Sequence, residues 1–162
     1  MRPNDSQMQN CLEHFRKTLR QAGIKLTHQR REIFREIVRS VDHPDVETIY
    51  RGVRRKLTTI SLDTVYRTLW LFLDLGLIAT LGLAHHRTRF DANLTSHHHF
   101  VCTKCGLIRD FSSRQFDQLN IPPSAKTFGP VESTHVEVLG VCRQCAGKKL
   151  KPKTHKKKGI KS

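Results

Sequence analysis

The chain is short of acids and has no long apolar run. Its longest apolar stretches, such as residues 69–73, cannot span a bilayer. Residues 1–12 are polar and carry no apolar region of the kind that directs export. These absences exclude a membrane helix and predict a soluble, cytoplasmic protein. Asp and Glu number 14 against 29 Lys and Arg, a formal charge of +15. Residues 148–162 hold eight lysines and no acid; without them, 21 basic and 14 acidic side chains leave the body at +7. A basic body with a basic tail points to a polyanion partner, nucleic acid first. For the tail alone, a solvated, disordered terminus is the plainer reading. The 162 residues suit one domain or two small ones, with 37 % hydrophobic side chains for compact cores but not for a large enzyme interior.

Hydrophobic spacing predicts helices in the first half. Residues 7–21 place Leu12, Phe15 and Leu19 on one face and stop near Gly23. Thr27 is a plausible N-cap for a second helix with Ile33, Phe34, Ile37 and Val38 inside. After the break at His43-Pro44-Asp45, a third helix over 46–56 buries Val46, Ile49, Tyr50 and Val53. The stretch 58–60 is short and β-branched. Ser61 caps a fourth helix with Asp63 in its first turn and Leu62, Val65, Leu69, Phe72 and Leu73 inward, ended by Gly76. Residues 77–84 and 88–91 can pair as a hairpin, completing the order of a winged helix-turn-helix. In the second half, 99–102, 107–111 and 134–141 read as strands, 114–119 as a short helix, and Pro122-Pro123 and Gly129-Pro130 as loops.

Cysteine is scarce but paired. Cys102-Thr-Lys-Cys105-Gly106 and Cys142-Arg-Gln-Cys145 each let a tight turn aim two thiolates at one ion, and two such turns complete the tetrahedral sulfur site that zinc prefers. The 36 intervening residues require a strand and a helix between the pairs. A thioredoxin-like redox motif needs only one pair, and disulfides are disfavoured in the cytosol. Cys11 is left as a plain buried or free thiol. A second set is made of histidine and aspartate: His97-His98-His99 before the first Cys pair, Asp91 upstream, Asp110 downstream and distant His43. On a strand, His97 and His99 share one face and His98 takes the other. Three imidazoles with two carboxylates suit Fe²⁺ or Mn²⁺ and leave a position open to a small oxidant. The competing reading is polar surface at a strand entrance.

These residues together resemble the ferric uptake regulator family over about residues 10–147. The resemblance rests on Leu26-Thr27-His28-Gln29-Arg30, His43-Pro44, Thr64-Val65-Tyr66-Arg67-Thr68-Leu69, Arg89-Phe90-Asp91, the histidine run and both Cys pairs. It implies an α+β protein: an N-terminal winged helix-turn-helix domain (1–84), a hinge (85–91), a small α/β dimerisation domain with the four-cysteine zinc site (92–147) and a basic disordered tail (148–162). It also implies a homodimeric repressor on double-stranded, inverted-repeat operator DNA, with no membrane partner and no enzymatic activity. The pattern is most similar to the peroxide-sensing branch, whose regulatory metal is held by three His and two Asp. Carried over, these are His43, Asp91, His97, His99 and Asp110, with Asp91 where iron-sensing relatives usually have Glu. In that branch Fe²⁺ reacts with hydrogen peroxide and a ligand histidine is oxidised, here His43 or His97; Mn²⁺ supports DNA binding without that sensitivity. The alternative within the family is an iron-, zinc- or nickel-responsive repressor without peroxide sensing.

The fourth helix becomes the recognition helix, with Thr64, Tyr66 and Arg67 toward the major groove and Arg20, Lys25 and Arg30 toward phosphates. Asp63 there either repels a phosphate or accepts from cytosine. Asp117 and His135 lie near where some relatives hold a further metal, but His135 is one residue out of register, which argues against a third site. Two other classes stay open: a His/Asp iron enzyme, and a zinc-stapled nucleic-acid-binding module without sensing. Against the enzyme, one candidate ligand comes from a helix-turn element and no substrate pocket is evident.

Overall fold

The computed structural model describes residues 5–81, 88–131 and 134–147. Four helices open the chain: α1 (Asp5–Gln21), α2 (His28–Arg39), α3 (Val46–Arg54) and α4 (Leu62–Asp74). A two-stranded antiparallel hairpin, β1 (Ala79–Leu81) and β2 (Arg89–Asp91), follows, with Thr80 opposite Phe90. Its turn and the basic tail fall outside the described residues. The second half contains β3 (His98–Cys102), β4 (Ile108–Phe111), the short helices α5 (Arg114–Asp117) and α6 (Pro123–Lys126), β5 (Glu137–Gly140) and α7 (Arg143–Gly147). Its sheet has the order β4-β3-β5, with β4 antiparallel and β5 parallel to β3. This is the α+β arrangement expected, a winged helix-turn-helix followed by a small α/β unit.

Local chemistry sets the helix starts. The hydroxyls of Thr27 and Ser61 accept from the N–H groups of Arg30 and Thr64, and the Asp45 carboxylate accepts from Thr48. Each satisfies a donor that the first helical turn leaves free. Gly76 ends α4 in the left-handed region, at φ 62°. The helices close over one core in which the Phe15 and Phe34 rings stack at 4.3 Å and Phe72 meets both edge-on. Ile33, Ile37, Ile49, Val53, Val65, Leu69, Leu77 and Phe90 fill the space around them. Burying each such side chain contributes about 1.5–3 kcal/mol.

Some local expectations are corrected. The β-branched residues 58–60 form a turn rather than a strand: the Ile60 N–H donates to the Leu57 carbonyl and its side chain enters the core. Leu62, assigned to the inner face of α4, is 38 % exposed. Helix α3 stops at Arg54 rather than Lys56, and Tyr50 is half-buried. Pro123 starts α6 where a loop was expected, because proline is tolerated in the first helical turn.

Candidate functional site

The two Cys pairs converge. Their four sulfurs lie within 4.8 Å of one another, all as free cysteines. The Cys105 and Cys142 sulfurs are 3.7 Å apart, close to the edge of roughly 3.8 Å that a tetrahedron with zinc–sulfur bonds of about 2.3 Å requires. Gly106, at φ 70°, lets its N–H return to the Cys102 carbonyl and close the first turn. Thr103 ties that turn to Gly140 of β5, and the second pair opens α7. The Cys142 backbone N–H, donated to the Cys102 sulfur, lowers the Cys102 thiol to about 6. Hydrogen bonding to the Cys105 and Cys142 sulfurs pushes Cys145 up to about 12. One thiol ionises readily while another holds its proton, the pattern of thiols crowded where a cation would carry the shared charge. A four-sulfur site of this size fits zinc.

The second cluster draws on both halves of the chain. His43 leaves the α2–α3 loop, Asp91 ends β2, His99 lies on β3 and Asp110 on β4; their ligand atoms also lie within 4.8 Å of one another. His43 reaches inward because its backbone is left-handed, at φ 46°, a conformation that a non-glycine residue adopts at some cost. Its ring bridges the two carboxylates, with Nε2 at 2.5 Å from Asp110 and Nδ1 at 3.5 Å from Asp91. His97 joins from just before β3, Nε2 being 2.9 Å from Asp91 and 3.8 Å from Asp110. The His97 Nδ1–H donates to the Thr95 carbonyl at 2.7 Å, which turns Nε2 toward Asp91. Four of the five sequence-predicted ligand residues therefore converge, and His97 lies beside them against both carboxylates.

The donor set fits a divalent cation of the Fe²⁺ or Mn²⁺ type. His99 is 3 % exposed, yet neither ring nitrogen has a hydrogen-bond partner among the described residues. Its Nε2 stands 3.7 Å from both Asp91 and Asp110, too far for a hydrogen bond, and a bound cation would give it a partner. Burial pushes the Asp91 carboxyl up, but the His99 imidazole, the Asn93 N–H and the charges of His43 and His97 outweigh it and hold the group below its usual range. Asp110 is likewise held low against the effect of burial by the His43 hydrogen bond and the charges of the three imidazoles. Both carboxylates are thus kept in the ligand form.

Residues that sequence reasoning missed dock the loop carrying His43. The Arg109 guanidinium of β4 pairs with Asp42, Arg89 donates to the His43 carbonyl at 3.3 Å, and the Phe90 N–H donates to Pro44 at 3.1 Å. Asp42 and Arg109 are 67 positions apart, and no periodicity in the sequence links them. His98 faces away from the cluster, as strand alternation requires. Its Nδ1 accepts from Val136, its Nε2 lies 3.2 Å from Asp117, and Phe111 and Phe116 flank the ring. His135 joins neither convergent group among the described residues.

In the helical half, Tyr66 and Arg67 are exposed on α4, while Thr64 is half-buried with its hydroxyl on Ser61. Arg20 and Lys25 are exposed; Arg30 is half-buried and donates to the Lys25 carbonyl at 2.5 Å. No described helix is long and apolar enough to cross a membrane.

Comparison with known proteins follows the same lines. The sequence profile of the ferric uptake regulator family matches residues 21–138. The chain is 36 % identical over 134 residues to the peroxide-responsive repressor PerR of Staphylococcus epidermidis, covering 83 % of this chain and 89 % of that one. The PerR of Staphylococcus aureus is 38 % identical over 140 residues, covering 85 % and 93 %. Among solved structures, the ferric uptake regulator of Helicobacter pylori shares the fold at a TM-score of 0.71 and 23 % identity, over 88 % of this chain and 96 % of that one. The peroxide stress regulator of Campylobacter jejuni matches at a TM-score of 0.61 and 26 % identity, over 83 % and 98 %. With its helices, wing and two donor clusters, this chain belongs to the ferric uptake regulator family.

Proposed function

We propose that this protein is a cytoplasmic, metal-dependent transcriptional repressor that binds inverted-repeat operator DNA as a homodimer and responds to hydrogen peroxide. The observation that carries the reading is the convergence of His43, from the helical half, with Asp91, His97, His99 and Asp110. A cation held by all five ties the DNA-binding helices to the C-terminal sheet. It therefore favours one arrangement of the two halves, and that difference in affinity is the regulatory signal. The similarity to the staphylococcal PerR repressors and the presence of Asp91 favour the peroxide-sensing branch. Residues 1–84 are the DNA-binding domain, 85–91 the hinge, 92–147 the dimerisation domain and 148–162 a basic tail.

In this role the four cysteines hold Zn²⁺ as a structural staple, and the five N/O donors hold Fe²⁺ or Mn²⁺. Bound Fe²⁺ would catalyse cleavage of the peroxide O–O bond; overall an imidazole loses two electrons, one peroxide oxygen goes to its ring and the other leaves as water. His43 and His97 are the side chains expected to gain oxygen. An oxidised imidazole is a poorer donor, so the tie between the halves loosens and the operator is released. Thr64, Tyr66 and Arg67 contact bases or groove edges, and Arg20, Lys25 and Arg30 contact phosphates. The protein acts as a regulator rather than an enzyme.

The test is mass spectrometry of Fe²⁺-loaded protein after peroxide, with the Mn²⁺-loaded form as control. One added oxygen on peptides carrying His43 or His97, in the iron form only, supports the reading. Unmodified histidines with operator binding unchanged would leave a metal-dependent repressor without peroxide sensing.

A further inference from the structure

The outer stripe of α4 carries a feature that the repressor reading does not use. Asp63, Tyr66, Arg67, Trp70 and Asp74 recur at three- and four-residue spacing on its exposed side, opposite buried Val65, Thr68, Leu69 and Phe72. Within the stripe the Arg67 Nη2 donates to Asp63 Oδ2 at 2.8 Å, although the two side chains are 80 % and 67 % exposed. Long helical side chains lean toward the helix N-terminus. The guanidinium is therefore carried back over the first turn, onto Asp63. That turn is the part of a recognition helix that meets base edges.

For affinity alone the pair is a poor arrangement. It sets an anion where the helix approaches phosphates and cancels the neighbouring cation, and an exposed pair one turn apart adds little to helix stability. Its geometric effect is larger. The carboxylate draws the guanidinium toward the first turn and engages one Nη2 hydrogen. The remaining hydrogens can still form the fork that meets guanine O6 and N7. A carboxylate also has acceptor capacity to spare. Beside a base pair it takes a hydrogen from the amino group of cytosine or adenine and is repelled by the acceptor edges of guanine and thymine.

We propose that Asp63 is a specificity-determining residue, and that the Asp63–Arg67 pair reads a two-base step in each half-site. Arg67 takes a guanine, and Asp63 selects an amino-bearing base, cytosine or adenine, beside it. The inference rests on α4 being the recognition helix of the repressor proposed above.

The experiment is selection from a randomised double-stranded DNA library by the zinc-containing, Mn²⁺-loaded full chain and by its Asp63→Ala and Asp63→Asn variants. Titrations against single-base-substituted sites follow, with thermal melts to establish that the variants are folded. The wild type should select guanine next to cytosine or adenine, each wrong base costing about five- to hundredfold. Asp63→Ala should lose selection at the amino-bearing position and narrow the guanine preference by about fivefold, while binding random DNA more tightly because one anion per protomer is gone. Asp63→Asn, which can also donate, should accept guanine or thymine at that position. If both variants keep the wild-type base preferences, whatever happens to total affinity, the proposal is overturned. Wild type that selects no sequence at all overturns the repressor reading itself, a failure distinguishable from the first.

Discussion

The two donor clusters are built in opposite ways. The four cysteines all come from the C-terminal half, at the end of β3, in the turn after it and around the start of α7. The histidine and aspartate cluster needs the α2–α3 loop, the wing strand β2 and the sheet strands β3 and β4 together. The first can close whatever the helical domain does, whereas the second exists only while the two halves are docked. A cation in the sulfur site therefore contributes to folding, and a cation in the second contributes to the choice between arrangements.

The largest effect expected from this contrast is on the sulfur side. Cys102→Ser or Cys142→Ser should abolish zinc retention and the cooperative melt of the C-terminal half. Structural zinc binding in small domains reaches about 10–16 kcal/mol, as large as the whole stability of a small domain, about 5–15 kcal/mol. Zinc assay with circular dichroism reads the outcome, and a folded, zinc-free variant would break the contrast. His43→Ala should do the reverse. Zinc and fold persist, Mn²⁺ affinity measured by calorimetry drops at least about tenfold, and Mn²⁺ no longer strengthens operator binding. The smallest effect is expected at Arg109→Ala, which removes the exposed pair with Asp42. Such pairs contribute up to about 1 kcal/mol, so Mn²⁺ affinity should fall about two- to fivefold with zinc unchanged. An Arg109→Ala loss as deep as that of His43→Ala would mean that the ion pair, rather than the ligands, docks the halves.

What the sequence made legible was chemistry confined to a few neighbouring positions. Thr27 and Ser61 announce helix starts because a cap is one hydroxyl three residues from its donor. Gly76 and Gly106 mark turns that need positive φ. The cysteine spacing is complete within two four-residue motifs, and alternation along β3 correctly separated His98 from His97 and His99. Features decided by tertiary contact were not legible. The β-branched composition of 58–60 does not reveal the turn it forms, which is set by the Ile60 side chain entering the core. Leu62 fits the helical period but lies at the margin of the buried face, where α4 begins. The left-handed backbone at His43 carries no glycine to announce it, and the Asp42–Arg109 and Arg89–His43 contacts join positions far apart in the chain. The five candidate ligands come near one another only when the fold brings β2, β3, β4 and the α2–α3 loop together.

The central claim is that the second cation and the operator favour the same docked arrangement of the two halves. Reciprocal linkage tests it most directly. Mn²⁺ affinity of the zinc-containing dimer is measured with and without saturating operator, and operator affinity with and without saturating Mn²⁺. The account predicts one and the same factor in both directions, about 10- to 100-fold, and a factor near one for His43→Ala. Mn²⁺ affinity that is identical with and without operator in the wild type would contradict it.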